Sequence, residues 1–141
     1  MSYLLDTNVV SELARPKPEP KVTRWLAGIP SESLFLSVIT LGELRRGVER
    51  LPAGARREKL RRWLEQDLRA WLGSRLLAVD AEVADRWGRL LAAAPRTPPA
   101  IDSLLAATAL EHDLRLVTRN ERDFDYAGLS VINPWSAVQA P

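Results

Sequence analysis

The sequence predicts an α/β sandwich around a parallel sheet, because short apolar segments alternate with longer segments of helical pattern. The apolar segments are each four residues long, which suits strands that are buried on both faces. The longer segments repeat apolar residues three or four positions apart, as amphipathic helices do. No repeat, linker or low-complexity tract divides the chain, so we expect one domain over residues 1–141.

Strands and helices are predicted in the following order. The strands are expected at residues 2–5, 34–37, 76–79, 115–118 and 129–132. The helices are expected at residues 9–14, 21–27, 40 to about 50, 55–72, 81–94 and 103–112. Proline and glycine, which interrupt helices, separate them at residues 15–20, 28–30, 52–54 and 95–99. Asp80 is expected to cap the helix that follows it.

Composition excludes several classes of site. The chain has no cysteine, so disulfides, thiolate metal sites and cysteine nucleophiles are excluded. Its one histidine, His112, is expected at a helix end and excludes a two-histidine zinc site. No apolar run is long enough to span a membrane, and the first residues lack the basic start of a signal peptide. We therefore expect a cytoplasmic protein that does not associate with a membrane.

Charge is distributed unevenly along the chain. Residues 45–75 carry ten cations and four anions, so this segment is +6 while the whole chain is +2. Such a segment suits a polyanionic partner, and Arg56, Arg57 and Arg61 are candidate RNA contacts. A solvated face of an amphipathic helix explains the same pattern equally well.

Carboxylates follow the predicted strands. Asp6 follows the first strand, Asp123 follows the fourth, and Glu43 and Asp102 lie near the start of two helices. The carboxyl ends of parallel strands lie at one edge of a sheet, so these side chains can converge there. Close carboxylates repel one another unless a cation offsets their charge, and oxygen ligands without His or Cys suit Mg²⁺ or Mn²⁺.

Each carboxylate also has a structural interpretation. Thr40 and Glu43 have the spacing of a helix capping box, and Asp102 is a good N-cap residue. Asp6 can shape an Asx turn, and Asp123 can cap a turn over residues 122–126. The residues alone leave both interpretations open.

Four motifs in a fixed order resemble those of one family. They are Leu5-Asp6-Thr7-Asn8, Ser37-x-x-Thr40-x-x-Glu43, Asp102-x-x-x-Ala-Ala-Thr-Ala and Thr118-Arg119-Asn120-x-x-Asp123-Phe124. The chain resembles the PIN-domain nucleases, specifically the VapC/FitB-like ribonuclease toxins of bacterial toxin–antitoxin pairs. The resemblance extends from Asp6 to Asn133-Pro134-Trp135.

This resemblance implies a three-layer α/β/α sandwich with a mainly parallel central sheet. It implies an Mg²⁺- or Mn²⁺-dependent endoribonuclease that hydrolyses RNA phosphodiester bonds with a metal-activated water, leaving a 5′-phosphate and a 3′-hydroxyl. The catalytic and metal-binding residues would be Asp6, Glu43, Asp102 and Asp123. The supporting polar residues would be Asn8, Thr118 and Asn120.

The resemblance also implies partners. They are an RNA substrate, a small cognate antitoxin that blocks the acidic site, and a second copy of the chain in a homodimer. Operator DNA would be bound only through the antitoxin. The apolar helices expected at residues 81–94 and 103–112 can supply a dimer interface or belong to the core.

Two other functions remain alternatives. One is a PIN-like module that binds RNA or protein without cutting. The other, an Asp-nucleophile phosphatase, fits less well because Asn8 stands where that class has a second aspartate, and no lysine follows Lys59. A response-regulator receiver fails on similar grounds, since it needs paired acids after the first strand and a late lysine.

Overall fold

The computed structural model describes residues 1–136, and its centre is a five-stranded parallel sheet. The strands are β1 (Tyr3–Leu5), β2 (Leu34–Ser37), β3 (Leu76–Leu77), β4 (Arg115–Val117) and β5 (Val131–Ile132). Their order across the sheet is β3-β2-β1-β4-β5, and every neighbouring pair is parallel. The predicted parallel sheet is confirmed, although β3 and β5 are shorter than expected.

Helices connect the strands. They are α1 (Thr7–Leu13), α2 (Pro20–Ala27), α3 (Val38–Glu49), α4 (Ala55–Arg62), α5 (Arg69–Leu72), α6 (Ala81–Ala93) and α7 (Ala100–Glu111). A π-helical stretch, Trp63–Leu68, joins α4 to α5, so the helix predicted over residues 55–72 changes its winding midway. Gly73 ends it with a φ of 53°, a backbone conformation that favours glycine.

The winding direction of the chain reverses at β1. From β1 the chain adds β2 and β3 on one side, and later adds β4 and β5 on the other. Leu4 of β1 is accordingly paired with Phe35 of β2 and with Leu116 of β4. In open parallel sheets, ligands bind beyond the carboxyl ends of the strands at such a reversal. This topology therefore indicates where the site lies before any side chain is considered.

Both faces of the sheet are buried. Consecutive strand residues point to opposite faces, and Leu4 and Leu5 of β1 are 0% and 1% exposed. One core contains Leu5, Val9, Val22, Leu36, Leu44, Leu64 and Val117. The other contains Leu4, Leu105, Ala106, Leu116 and Phe124. Two cores on two faces confirm the three-layer α/β/α arrangement.

Two helix starts differ from the prediction. Helix α3 begins at Val38 rather than Thr40, because β2 runs directly into it and the Ser37 hydroxyl accepts a hydrogen bond from the Ile39 amide at 3.0 Å. Helix α7 begins at Ala100, directly after Pro99. The predicted capping box at Thr40 and the predicted N-cap at Asp102 are therefore wrong.

Three smaller expectations concern helix ends. Asp80 caps α6 as expected, accepting a hydrogen bond from the Val83 amide at 2.9 Å, and His112 ends α7. Asp123 lies inside a 3₁₀ turn (Glu121–Phe124) and caps nothing, because Asn120 precedes that turn. Over residues 1–136, no helix is both long and apolar enough to cross a membrane.

Candidate active site

The candidate site lies where β1 and β4 end side by side. Asp6 directly follows β1, and its amide donates to the carbonyl of Val117, the last residue of β4, at 2.9 Å. Thr118 follows Val117, so the first and fourth strands deliver Asp6 and Thr118 to the same point. Sequence positions 112 residues apart become direct neighbours in this way.

Asp6 is held by hydrogen bonds at both carboxylate oxygens. It is 7% exposed and is the N-cap of α1, where its Oδ1 accepts from the Thr7 amide at 2.7 Å. Its Oδ2 accepts from the Thr118 hydroxyl at 2.7 Å and from Asn8 Nδ2 at 3.3 Å. The Asp6 carboxylate therefore has one fixed orientation.

Thr118 connects the polar residues named by the resemblance. Its hydroxyl also accepts hydrogen bonds from Asn8 Nδ2 at 3.3 Å and from the Asn120 amide at 3.0 Å. Asn8 and Thr118 act on Asp6 through their side chains, whereas Asn120 contributes its backbone amide. Asn8 Oδ1 in addition accepts from the Arg119 amide at 3.2 Å, which holds the loop after β4 against α1.

Glu43 reaches the site from α3. Its Oε1 accepts a hydrogen bond from the Thr7 hydroxyl at 2.5 Å. Sequence reasoning assigned Thr7 no role, although its place between Asp6 and Asn8 in the first motif is the signal that would have found it. The contact joins the first motif to the second across 36 residues.

Thr40 lies on the same helix, three residues before Glu43. It is fully buried, and its hydroxyl oxygen has no hydrogen-bond partner within residues 1–136. A buried hydroxyl without a partner is costly, and this oxygen remains able to donate or accept a hydrogen bond about one helical turn before Glu43.

Asp102 and Asp123 complete the set. Asp102 lies in the first turn of α7 and is half-buried, and Asp123 is exposed in its 3₁₀ turn. The N-terminal turn of a helix favours an anion, so α7 stabilises the charged form of Asp102 to some extent.

Electrostatics shows that the four carboxylates influence one another. Burial raises the pKa of Asp6, hydrogen bonds from Thr118 and Thr7 lower it, and the charges of Glu43 and Asp123 raise it further. The net effect on the pKa of Asp6 is an increase.

The pKa of Asp102 is raised as well, first by burial and then by the charges of Asp123, Asp6 and Glu43. Burial and the charges of Asp102 and Asp123 likewise raise the pKa of Tyr126, which sequence reasoning did not associate with the site. The structure thus brings all four predicted carboxylates into one electrostatic neighbourhood.

Within residues 1–136, no basic side chain forms an ion pair with any of the four carboxylates, Asp6, Glu43, Asp102 and Asp123. In the same range, no group of three carboxylates or imidazoles lies close enough together to hold a metal ion. The donor chemistry nevertheless fits a hard divalent cation, because all donors are oxygens, two carboxyl pKa values are raised, and a cation would offset the mutual repulsion.

The arginines proposed as RNA contacts lie on α4. Arg57 is paired with Glu49 at 3.0 Å, and Arg61 is paired with Glu58 at 2.6 Å. Arg56 is exposed and belongs to no ion pair within residues 1–136. Pairing partly neutralises this face, which makes the solvated-helix interpretation stronger for Arg57 and Arg61 than for Arg56.

An apolar groove of about 500 Å³ lies against α1. Its walls come from α1, α2 and the π-helical stretch, and Leu13 and Trp71 on its rim are 40% and 42% exposed. Exposed apolar side chains of this size around one groove are typical of a protein–protein contact surface.

Most of this chain is similar to proteins of known type. Residues 3–129 match the model of the PIN domain. The chain is 38% identical over 135 residues to the VapC ribonuclease Y4jK of Sinorhizobium fredii, which covers 94% of this chain and 96% of that protein. It is also 38% identical over 135 residues to the toxin FitB of Neisseria gonorrhoeae, covering 94% and 97%. The solved structure of FitAB bound to an IR36 DNA fragment superposes with a TM-score of 0.88 at 34% identity, covering 99% of both chains.

Proposed function

The chain belongs to the PIN-domain family, and we propose that it is a metal-dependent endoribonuclease, the toxin of a type II toxin–antitoxin pair. Two relatives that match almost the whole chain, one named as a ribonuclease and one as a toxin, support this proposal. The observation that carries it is the uncompensated set of Asp6, Glu43, Asp102 and Asp123 at the strand reversal.

We propose that these four carboxylates hold Mg²⁺ or Mn²⁺. A divalent ion bound there would supply positive charge against the phosphodiester and lower the pKa of a water molecule. Asp6 and Asp102 are the best candidates for direct contact, because their raised pKa values reflect the greatest need for a counter-charge. Glu43 and Asp123 would bind directly or through water.

The surrounding residues position these donors. Thr118 and Asn8 fix Oδ2 of Asp6, and Thr7 fixes Oε1 of Glu43. Such orienting contacts lower the entropy lost when a carboxylate engages its ligand. Asn120 keeps the Thr118 hydroxyl turned toward Asp6 by donating its amide to it.

The aspartate-nucleophile alternative lacks the residues that such an enzyme needs beside its nucleophile. That class has a second aspartate two residues after the first and a lysine later in the chain. Here Asn8 occupies that position and donates its Nδ2 to Asp6, and no lysine follows Lys59. Hydrolysis by water is therefore the better match to this site.

We further propose a cognate antitoxin as partner. The solved complex of FitAB with an IR36 DNA fragment supports an assembly that includes a partner chain and DNA, and we propose that the antitoxin alone contacts operator DNA. The apolar groove between α1 and α2 fits an apolar segment of that antitoxin. The homodimer, the RNA contact at Arg56, Arg57 and Arg61, and a cytoplasmic location belong to the same proposal.

Cleavage of RNA by the purified chain tests the nuclease assignment. The wild type should cut single-stranded RNA with added Mg²⁺ or Mn²⁺, stop when EDTA is added, and leave 5′-phosphate and 3′-hydroxyl ends. Asp102→Asn should fold and not cut. A folded wild type that binds RNA without cutting would favour the non-catalytic binding module, and 2′,3′-cyclic phosphate ends would exclude hydrolysis by water.

A further inference from the structure

A second pocket, which we call the Arg119 pocket, opens beside the candidate active site. Its volume is about 390 Å³. It is formed where the end of α1, the proline-rich segment after it and the loop after β4 meet. The charged and aromatic side chains that line it are those of Glu12, Arg15, Lys17, Glu19, Arg119 and Trp135.

One wall of the Arg119 pocket is held by a buried carboxylate. Glu12 is 6% exposed, and its Oε2 accepts a hydrogen bond from the Glu19 amide at 2.8 Å. Its Oε1 pairs with Arg15 at 3.3 Å. Glu12 therefore folds the proline-rich segment back against α1 and neutralises Arg15.

The opposite wall is an arginine stacked on an aromatic ring. The Arg119 guanidinium carbon lies 5.2 Å from the centroid of the Trp135 ring. The Trp135 amide donates to Asn133 Oδ1 at 2.9 Å, and the Arg119 amide donates to Asn8 Oδ1 at 3.2 Å. Backbone contacts thus fix both ends of the stack, and a guanidinium held in this way loses little freedom when it binds a ligand.

Two cations of the pocket are unpaired in the part of the chain that the structure describes. Within residues 1–136, neither Lys17 nor Arg119 belongs to an ion pair, and both are exposed. The lining holds three cations against Glu12 and Glu19, so its net charge is +1. Lys17 and Arg119 are therefore better prepared to receive an anion than Arg57 and Arg61 of α4, which are paired with glutamates.

The pocket is close to the carboxylates. Arg119 is adjacent in sequence to Thr118, which donates to Asp6. Glu12 lies six residues beyond Asp6 along α1, which is about 9 Å at the rise of an α-helix. A single nucleic acid strand that enters the acidic site can therefore extend over Arg119 without a change in the fold.

We propose that the Arg119 pocket binds a backbone phosphate of the RNA strand next to the bond that is cut. Arg119 contacts the phosphate through its planar guanidinium, Lys17 adds charge, and Trp135 keeps the guanidinium oriented. The proposal rests on the proposed function for its choice of RNA as ligand. Arg119 is thus a substrate-binding residue, which affects RNA binding rather than the chemical step.

The test compares Arg119, which lies two residues after the end of β4, with Arg115, the first residue of that strand. Arg119→Ala removes a charge beside the site, and the matched control Arg115→Ala removes the same charge from the amino end of β4. With a short fluorescein-labelled single-stranded RNA, Arg119→Ala should raise the Kd about tenfold and reduce the salt slope of log Kd by about one. Arg119→Lys should restore the salt slope, because it keeps the charge, and recover only part of the affinity.

Binding is measured in an Asp102→Asn background so that the RNA stays intact, and cleavage is measured separately in the otherwise wild-type chain. There, Arg119→Ala should raise KM about tenfold and leave kcat within about twofold of wild type. An Arg119→Ala chain with an unchanged Kd and salt slope, or an Arg115→Ala chain with the same losses, would overturn the proposal. If the wild type does not cleave RNA, the proposed function fails, and the salt slope still decides whether Arg119 contacts RNA.

Discussion

Replacing Asp102 by asparagine should make the metal-free protein more stable. Asp102 is half-buried, and its pKa is raised by burial and by the charges of Asp123, Asp6 and Glu43. Partly exposed charge pairs are worth a few tenths of a kcal/mol to about 1 kcal/mol each. The variant removes three repulsions but also loses an anion from the first turn of α7, which costs about 0.5 kcal/mol. The free energy of unfolding should therefore rise by about 1 kcal/mol, and Tm by a few degrees.

The pH dependence identifies the cause. Because the folded-state pKa of Asp102 is raised, the stability contributed by its protonated form is fully present below the unfolded value of 3.8 and is lost as the pH rises through the folded-state pKa. The higher free energy of unfolding of Asp102→Asn should thus be present at neutral pH, and the difference from wild type should vanish at a pH below 3.8.

The assay is thermal unfolding in EDTA across this pH range. The matched control is Glu82→Gln, which removes an exposed anion from the first turn of α6 and should lower the Tm slightly. The charge of Glu82 does not contribute to the raised pKa of Asp6 or Asp102. If Asp102→Asn unfolds at a lower temperature than wild type at neutral pH, or if its gain in Tm persists unchanged in acid, then repulsion among the carboxylates does not destabilise the metal-free protein.

Three further predictions concern the site and its surroundings. Thr118→Val should keep the fold but remove the 2.7 Å hydrogen bond to Asp6, so Mn²⁺ affinity should fall about 10- to 100-fold by calorimetry; equal affinity would show that Thr118 does not orient Asp6. Thr40→Val should raise the free energy of unfolding in EDTA by about 1 kcal/mol, because the buried Thr40 hydroxyl has no partner within residues 1–136. Denaturant unfolding measures this, and a lower midpoint for the variant than for wild type would contradict the prediction. Arg56→Glu should weaken RNA binding more than Arg57→Glu, since Arg57 already faces Glu49; the reverse order in a filter-binding assay would contradict this.

Local patterns predict the strand ends well. Short apolar segments followed by Asp6 or Thr118 locate the carboxyl edge of the sheet, because strand burial and strand termination are both visible in a few adjacent residues. Their position near that edge and the order of the motifs predict the four carboxylates as the candidate site. Their actual grouping depends on the strand order, which no local pattern contains.

Long-range contacts account for what the sequence did not reveal. The hydrogen bond from Thr7 to Glu43 and the stacking of Arg119 on Trp135 each join segments that are distant in the chain. The capping box at Thr40 was predicted from spacing alone, but β2 continues directly into α3 and Ser37 takes the capping position. Ser37 and Thr40 are both residue types that cap helices, and Ser37 caps α3 because β2 ends there and the helix follows at once.

The proposed function requires that Asp6, Glu43, Asp102 and Asp123 bind one divalent ion together. The decisive measurement is a calorimetric titration of Mn²⁺ into the wild type and into the four single Asn or Gln variants. The wild type should show saturable binding, and Asp6→Asn and Asp102→Asn should each lose at least about tenfold in affinity, with smaller losses for the other two. If both Asp6→Asn and Asp102→Asn bind Mn²⁺ as tightly as the wild type, the four carboxylates do not form a shared metal site.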